Sequence, residues 1–238
     1  MMRRLVEVRG LKYRYEDGTR ALNGVDFHLE EGESVALLGP NGSGKTTFIL
    51  HLNGLLTGEG SVEVCGLPVN ARNTAAIRGK VGMVFQESDA QLFMPTVLED
   101  VAFGLLNRGM DPGEAGDRAR AALETVGIGG LAGRAPYHLS AGEKKRAAIA
   151  GILAMEPEIL VLDEPTTFLD PPGQRALAGL LAELPQARIL VTHDIAFAEA
   201  TCNRAAFFQS GIIAAEGPVA DLVRRFDWKF ELERSKSK

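Results

Sequence analysis

The sequence predicts an α/β fold: a mostly parallel sheet core, an antiparallel β subdomain on its N-terminal side and a helical insert in the middle. Three observations carry this. Apolar runs at residues 159–162 and 189–192 alternate with helical stretches, and strands alternating with helices build parallel sheets through right-handed crossovers. Apolar and polar residues alternate on both sides of Asp17 and Gly18, a hairpin signature. From about residue 87 to 155 the strand signals cease and helical periodicity takes over.

Taken in order, Leu5, Val6, Val8, Leu11, Tyr13 and Tyr15 read as one strand and residues 25–29 as its partner. Residues 34–39 are continuously apolar, as suits a strand buried on both faces. A helix is expected over residues 44–56, then short strands at 61–65 and 81–85. The insert reads as helices at 96–106, 114–126 and 141–155, with residues 109–113 as a separator. Helices at 171–184 and 194–202 alternate with the later strands. A hairpin (205–209 and 212–215) and a helix (218–226) close the fold. The charged tail from Glu231 to Lys238 is expected to fray. One domain is expected over residues 1–238: a core of about 1–86 and 156–238, and a helical subdomain of about 87–155.

The chain has 238 residues, 45% of them hydrophobic and 24% charged. A chain of this length buries roughly 70% of its unfolded surface, so it needs no staples. Disordered, collagen-like and low-complexity classes are excluded. Two cysteines, Cys65 and Cys202, exclude a disulfide scaffold and suit a reducing compartment. A net charge of −5 argues against a nucleic-acid partner. Glu7 and Arg9 interrupt any apolar leader, and the longest apolar stretch, residues 147–155, is shorter than the ~20 residues a membrane helix requires. The expectation is a cytoplasmic protein that meets a membrane only by docking on a partner.

Gly39, Pro40, Asn41, Gly42, Ser43, Gly44, Lys45 and Thr46 match the pattern G-x-x-x-x-G-K-[ST] between a buried strand and a helix, the context this phosphate loop requires. Glycines let the backbone wrap a phosphate while successive N–H groups and the helix N-terminus point at it. Lys45 would reach the β- and γ-phosphates, the Thr46 hydroxyl would ligate Mg²⁺, and Thr47 completes the expected cradle. The run at 159–162 ends in Asp163 and Glu164, placing two carboxylates at the sheet edge where open α/β sheets bind ligands. Asp163 can orient Mg²⁺, and Glu164 is the candidate general base for an attacking water.

Further segments bring a family into view. Leu139, Ser140, Ala141, Gly142 and Glu143 resemble the signature of ATP-binding cassette (ABC) ATPases. Gln86 after residues 81–85 resembles the family's Q-loop, and Phe168, Leu169 and Asp170 its D-loop. His193 between Thr192 and Asp194 resembles the switch histidine, and Tyr15 stands where the family places an adenine-stacking aromatic. The resemblance implies a P-loop NTPase fold with a RecA-like core, ATP and Mg²⁺ as cofactors, and a head-to-tail dimer with itself or a paralogous ATPase. In that dimer Lys45, Thr46, Gln86, Asp163, Glu164 and His193 would act on one nucleotide while Ser140 and Gly142 cap the partner's. Gln86 would ligate Mg²⁺, and Asp170 would contribute from the D-loop. Tyr13 shares a strand face with Tyr15 and stays an alternative for adenine. Ser140 is also a good helix N-cap. His28, His51 and His138 carry no motif and read as structural or exposed.

Residues 83–104 (Met83, Gln86, Gln91, Phe93, Pro95, Asp100 and Gly104 among them) and 146–157 resemble the energy-coupling-factor group, the cobalt/nickel and vitamin importers. That implies an integral membrane scaffold, a substrate-binding membrane subunit, and a peripheral position on the cytoplasmic face of the membrane. It also implies a groove at Gln91, Phe93 and Phe103 for a partner helix. The alternative class is a soluble ABC ATPase acting on nucleic acid or the ribosome. Three positions depart from the family pattern: Ala141 replaces a signature glycine, Glu143 stands where glutamine is usual, and Phe168 where a small residue is usual.

Overall fold

The computed structural model describes residues 3–87 and 91–228, so the tail at 231–238 and the middle of the Q-loop stretch lie outside the described residues. Two sheets form. The first joins β1 (Arg4–Arg14), β2 (Arg20–Glu30), β4 (Glu59–Val64) and β5 (Leu67–Pro68), antiparallel throughout, in the order β2-β1-β4-β5. The β1–β2 turn forms as the sequence expects, with Gly18 at φ 88° and the Asp17 carboxylate accepting from the Thr19 N–H at 2.8 Å.

The second sheet joins β3 (Ser34–Leu38), β6 (Val81–Val84), β7 (Ile159–Asp163), β8 (Ala187–Val191), β9 (Arg204–Gln209) and β10 (Ile212–Gly217) in the order β10-β9-β3-β8-β7-β6. All its pairings are parallel except β10 with β9. Strands β3, β6 and β7 are buried at every position, the reason they read as unbroken apolar runs.

Eight α-helices surround the sheets: α1 (Lys45–Leu52), α2 (Thr74–Lys80), α3 (Val97–Asn107), α4 (Pro112–Thr125), α5 (Ala141–Leu153), α6 (Pro171–Glu183), α7 (Ile195–Thr201) and α8 (Val219–Arg225) among the described residues. Their starts follow from their caps. Thr96 with Glu99, and Ser140 with Glu143, close reciprocal capping boxes on α3 and α5. Asp111, Asp170 and Asp194 accept from first-turn N–H groups of α4, α6 and α7.

One face of the parallel sheet packs with α1 against the antiparallel sheet, through Phe27, Phe48 and Phe208 with ring centroids 5.2 and 5.4 Å apart. The other face (Val84, Leu160, Leu162 and Leu190) shares a core with α3 to α6. Helix α8 covers Ala36, Leu38 and Phe207. Both thiols are free, and burial pushes each pKa up to about 11, so they behave as small apolar groups. Among the described residues no helix is long and apolar enough to cross a membrane.

Several boundaries differ from expectation. Helix α1 stops at Leu52 instead of reaching residue 56. Gly54, at φ 68°, sits just past the end, with Gly54 N–H bonded to His51 O and Leu55 N–H to Leu50 O, the double closure that ends a helix. Helix α4 starts before residue 114, because Asp111 and Pro112, read as a separator, are an N-cap and a first-turn proline. Helix α2 was not anticipated: it buries only Ile77, so it leaves no apolar period to read. Helix α5 ends near Ala154, short of residue 155, ahead of Glu156 at φ 52° and Pro157.

Helix α5 rests directly on β6. A Cβ on Gly82 would lie 2.0 Å from Ile152 Cγ2 and 3.2 Å from Pro157 Cγ. Gly82→Ala is therefore expected to destabilise the fold by about 1–3 kcal/mol through overpacking. That lowers the Tm by about 2–4 °C for each kcal/mol. An unchanged Tm in thermal denaturation would contradict this seating of α5.

Candidate active site

Four adjacent strands each deliver one part of a single cleft. The loop after β3 holds residues 39–44. The end of β8 carries Thr192 and His193, β7 ends in Asp163 and Glu164, and Gln86 follows β6. In-register parallel pairing aligns these ends: Asp163 lies opposite Val191, and Val191 opposite Leu37. Tyr15, Arg20, Asn41, Gly42, Ser43, Gly44, Lys45, Thr46, Thr47, Gln86, Asp163, Glu164 and His193 line the resulting cleft of about 280 Å³.

The loop's backbone requires its glycines. Gly39 has φ 133°, and a Cβ there would lie 2.1 Å from Phe208 O; Gly44 has φ 107°, with Ala21 O at 2.5 Å. Lys45 Nζ donates to Gly39 O at 2.7 Å and Pro40 O at 3.0 Å. The Ser43 hydroxyl is buried without a hydrogen-bond partner among the described residues, an arrangement that suits an incoming acceptor. The Thr46 hydroxyl lies 3.4 Å from Asp163 Oδ2.

Behind this pair, Glu164 adopts φ 45°. Its carboxylate accepts from the His193 backbone N–H and meets His193 Nε2, both at 3.3 Å. The Tyr15 hydroxyl pairs with Thr47 Oγ1 at 2.9 Å. Tyr15 stands 38% exposed at the cleft mouth, while Tyr13 packs edge-on to His51. The geometry thus puts Tyr15, and not Tyr13, on the cleft. His51 is a buried structural histidine bonded to Thr47 O.

Burial sets the electrostatics. It pushes the Asp163 carboxyl above the usual range, the neighbouring Glu164 charge adds to this, and Thr46, Lys45 and Lys145 oppose it. Glu164 is likewise raised, mainly by burial. Burial lowers both Lys45 and His193, so the imidazole is neutral at pH 7. The site holds carboxylates and an ammonium that are costly alone and favourable together, a common mark of functional clefts.

Ser140, Gly142 and Asp170 do not join this cleft. They line a second one of about 690 Å³ with Glu143, Phe168 and Leu169. Ser140 Oγ donates to Glu143 Oε2 at 2.7 Å, and Asp170 caps α6 through the Gly173 N–H at 2.9 Å. Phe168 is 78% exposed at φ 67°. Gln91, expected at a groove with Phe93 and Phe103, turns its amide to the backbone of and just after β6. Its side chain accepts from Phe85 N–H at 3.1 Å and donates to Met83 O at 3.2 Å, because the edge strand β6 leaves those groups open. Phe93 and Phe103 do pair edge-on on the surface, 4.9 Å apart. Sequence reasoning missed Arg20, which lines the first cleft, and Lys145, whose charge reaches Asp163. Neither carries a motif.

Asp163 provides a test of the electrostatics. Its folded pKa exceeds the unfolded value of about 4, so its contribution favours the fold at low pH and is lost as pH rises through the folded pKa. At pH 7 the charged carboxylate costs stability. Nucleotide-free Asp163→Asn should gain about 0.5–2 kcal/mol at pH 7 and lose the advantage towards pH 4. Tm values of both proteins across that range check this, and equal values throughout would refute it.

Comparison with known proteins bears on this site. A family model described as ABC transporter matches residues 22–167. A candidate ABC transporter ATP-binding protein of Streptomyces avermitilis is 53% identical over 219 residues, covering 92% of this chain and 84% of that protein. The energy-coupling factor transporter ATP-binding protein EcfA of Methanothermobacter thermautotrophicus is 47% identical, covering 92% of this chain and 73% of its own. CbiO1 of Clostridium perfringens, part of the ABC transporter complex CbiONQ, superposes with a TM-score of 0.84 at 35% identity, covering 95% of this chain and 96% of that one. A dimeric ATP-binding cassette in a post-hydrolysis state, bound to ADP and Pi, gives 0.81 at 30% identity, covering 90% and 99%.

Proposed function

We propose a role for this chain from one premise: it belongs to the ABC transporter family, whose ATP-binding subunits hydrolyse ATP. The role is that of the ATP-hydrolysing subunit of an energy-coupling-factor-type importer for a transition-metal ion (cobalt or nickel) or a vitamin. It would sit peripherally on the cytoplasmic face of the membrane. The likeness to EcfA and to CbiO1 supports the importer type. The single observation that carries the chemistry is the gathering of loop, base, histidine and glutamine at four adjacent strand ends.

In this reading the loop N–H groups, the Ser43 hydroxyl and Lys45 cradle the phosphates, and Tyr15 stacks on adenine. Thr46, Asp163 and Gln86 offer hard oxygen donors, and among the described residues no cluster of three or more His, Cys, Asp or Glu gathers to hold a metal by itself. Such a set fits Mg²⁺ shared with substrate phosphates, which when bound neutralises charge on the β- and γ-oxygens. Glu164, its pKa raised by burial, takes the proton of the attacking water, and His193 holds the geometry beside it. Ser140 and Gly142 sit in the other cleft and would cap the nucleotide of a second subunit, identical or paralogous. The exposed Phe93–Phe103 pair, with Leu106, would receive a cytoplasmic helix of the membrane scaffold, which with a substrate-binding subunit carries the cargo. A soluble ABC ATPase acting on nucleic acid or the ribosome is not favoured, because the net charge is −5.

Glu164→Gln should keep ATP binding, lower turnover by about 10²- to 10⁴-fold and accumulate an ATP-bound dimer in light scattering. Wild-type turnover would remove Glu164 as the base. Lys45→Ala should lose ATP affinity. The chain's one tryptophan, Trp228, lies 6.1 Å from the His193 ring and supplies the fluorescence signal. The importer type is tested by capturing the tagged chain from membranes in mild detergent. Co-purification of an integral scaffold and a small multispanning subunit is expected; soluble partners alone would overturn it.

A further inference from the structure

Lys145 is a buried cation that the chemistry above does not use. It lies on α5, five residues after the cap Ser140, and is only 3% exposed. An ammonium taken out of water needs strong acceptors. Its Nζ donates to Gln86 O at 3.0 Å and lies 3.4 Å from Phe85 O, where the chain leaves β6. Its charge also reaches the buried Asp163 carboxylate. Among the described residues strand β6 is the sheet edge, and its outer N–H and C=O groups have no strand partner there. Gln91 takes their place through Phe85 N–H and Met83 O. The segment that aims Gln86 into the first cleft is thus fastened from two sides.

We propose that Lys145, assisted by Gln91, is a positioning residue for hydrolysis: it ties the backbone of Gln86 to helix α5 and so sets the Gln86 side chain against the Mg²⁺-binding oxygens of Thr46 and Asp163. This rests on the ATPase reading above. The consequence is mechanical. The cap of α5, Ser140, lines the second cleft, while Lys145 on the same helix holds a wall of the first. A rigid helix displaced by a ligand at Ser140 therefore moves Gln86 relative to Asp163, linking the two clefts of one chain.

The test compares Lys145→Met, which keeps the stem and loses the donor, with Lys145→Gln, which keeps a donor. Three quantities are read: kcat and KM for ATP, the gain in ATP affinity on adding Mg²⁺ measured by Trp228 fluorescence, and Tm. Lys145→Met should lower kcat by about 10- to 100-fold, the range for groups that orient metal ligands, and lose the Mg²⁺-dependent gain in ATP affinity, with KM rising by no more than that gain. Lys145→Gln should restore most of both, and Gln91→Ala should reproduce the Lys145→Met pattern more weakly, which serves if Lys145→Met does not fold. An unchanged Mg²⁺ gain in Lys145→Met, or in Gln91→Ala where Lys145→Met does not fold, overturns the proposal. So does an equal loss in the Met and Gln variants that tracks a fall in Tm. If the wild type binds ATP without hydrolysing it, the ATPase reading fails instead, and the Mg²⁺ gain alone decides the role of Lys145.

Discussion

The parallel register of β3, β8, β7 and β6 is the constraint on which the site depends. Side chains alternate between sheet faces with a period of two, so a one-residue slip of β7 would turn Asp163 to the other face and bring Glu164 into its place. The register is held where it matters: Glu164 N–H bonds to Val191 O at 2.8 Å, directly after the Asp163–Val191 pair. Complete burial of β7 on both faces raises the cost of any alternative pairing. Precision at the cleft is thus inherited from the core, and helices packed on either face protect it.

That dependence also explains what could be read from the sequence. The parallel strands announced themselves because burial on two faces demands unbroken apolar runs, and the loop at 39–44 because close backbone approach at Gly39 and Gly44 admits no side chain. Asp163 and Glu164 were legible as the first polar residues after such a run. Helix α2 was not, since one buried residue leaves no period. The end of α1 is masked in the sequence although Gly54 marks it, since Leu55 and Leu56 continue the apolar pattern past the left-handed turn. Lys145 was invisible for a different reason. A lysine in a basic run reads as solvated, and only the fold shows that it reaches the backbone where the chain leaves β6.

The electrostatic cost gathers at the first cleft. Asp163, Glu164, Lys45 and His193 are each driven by burial towards their neutral forms. A bound polyanion with its counter-ion would give Lys45 and Asp163 the partners their charged forms need. Glu164 and Phe168 hold left-handed backbone without being glycine, at a cost of about 1–3 kcal/mol each. The surrounding core, seated on both faces of the parallel sheet, offsets that cost.

Ser140 and Gly142 lie apart from Lys45 within the same molecule, so the N-terminus of α5 lines a different cleft from the one that holds Asp163 and Glu164. Ser140 Oγ already serves the Glu143 carboxylate. That bond holds the hydroxyl at the helix N-terminus, beside the backbone N–H groups whose dipoles favour an anion. Glu143 is correspondingly held ionised, its pKa lowered by those same hydrogen bonds. An anion arriving at Ser140 must therefore outcompete a carboxylate already in place, an electrostatic threshold that a glutamine at position 143 would not impose. The substitution that looks conservative in the sequence thus changes the charge at the one surface through which a second subunit would complete the site.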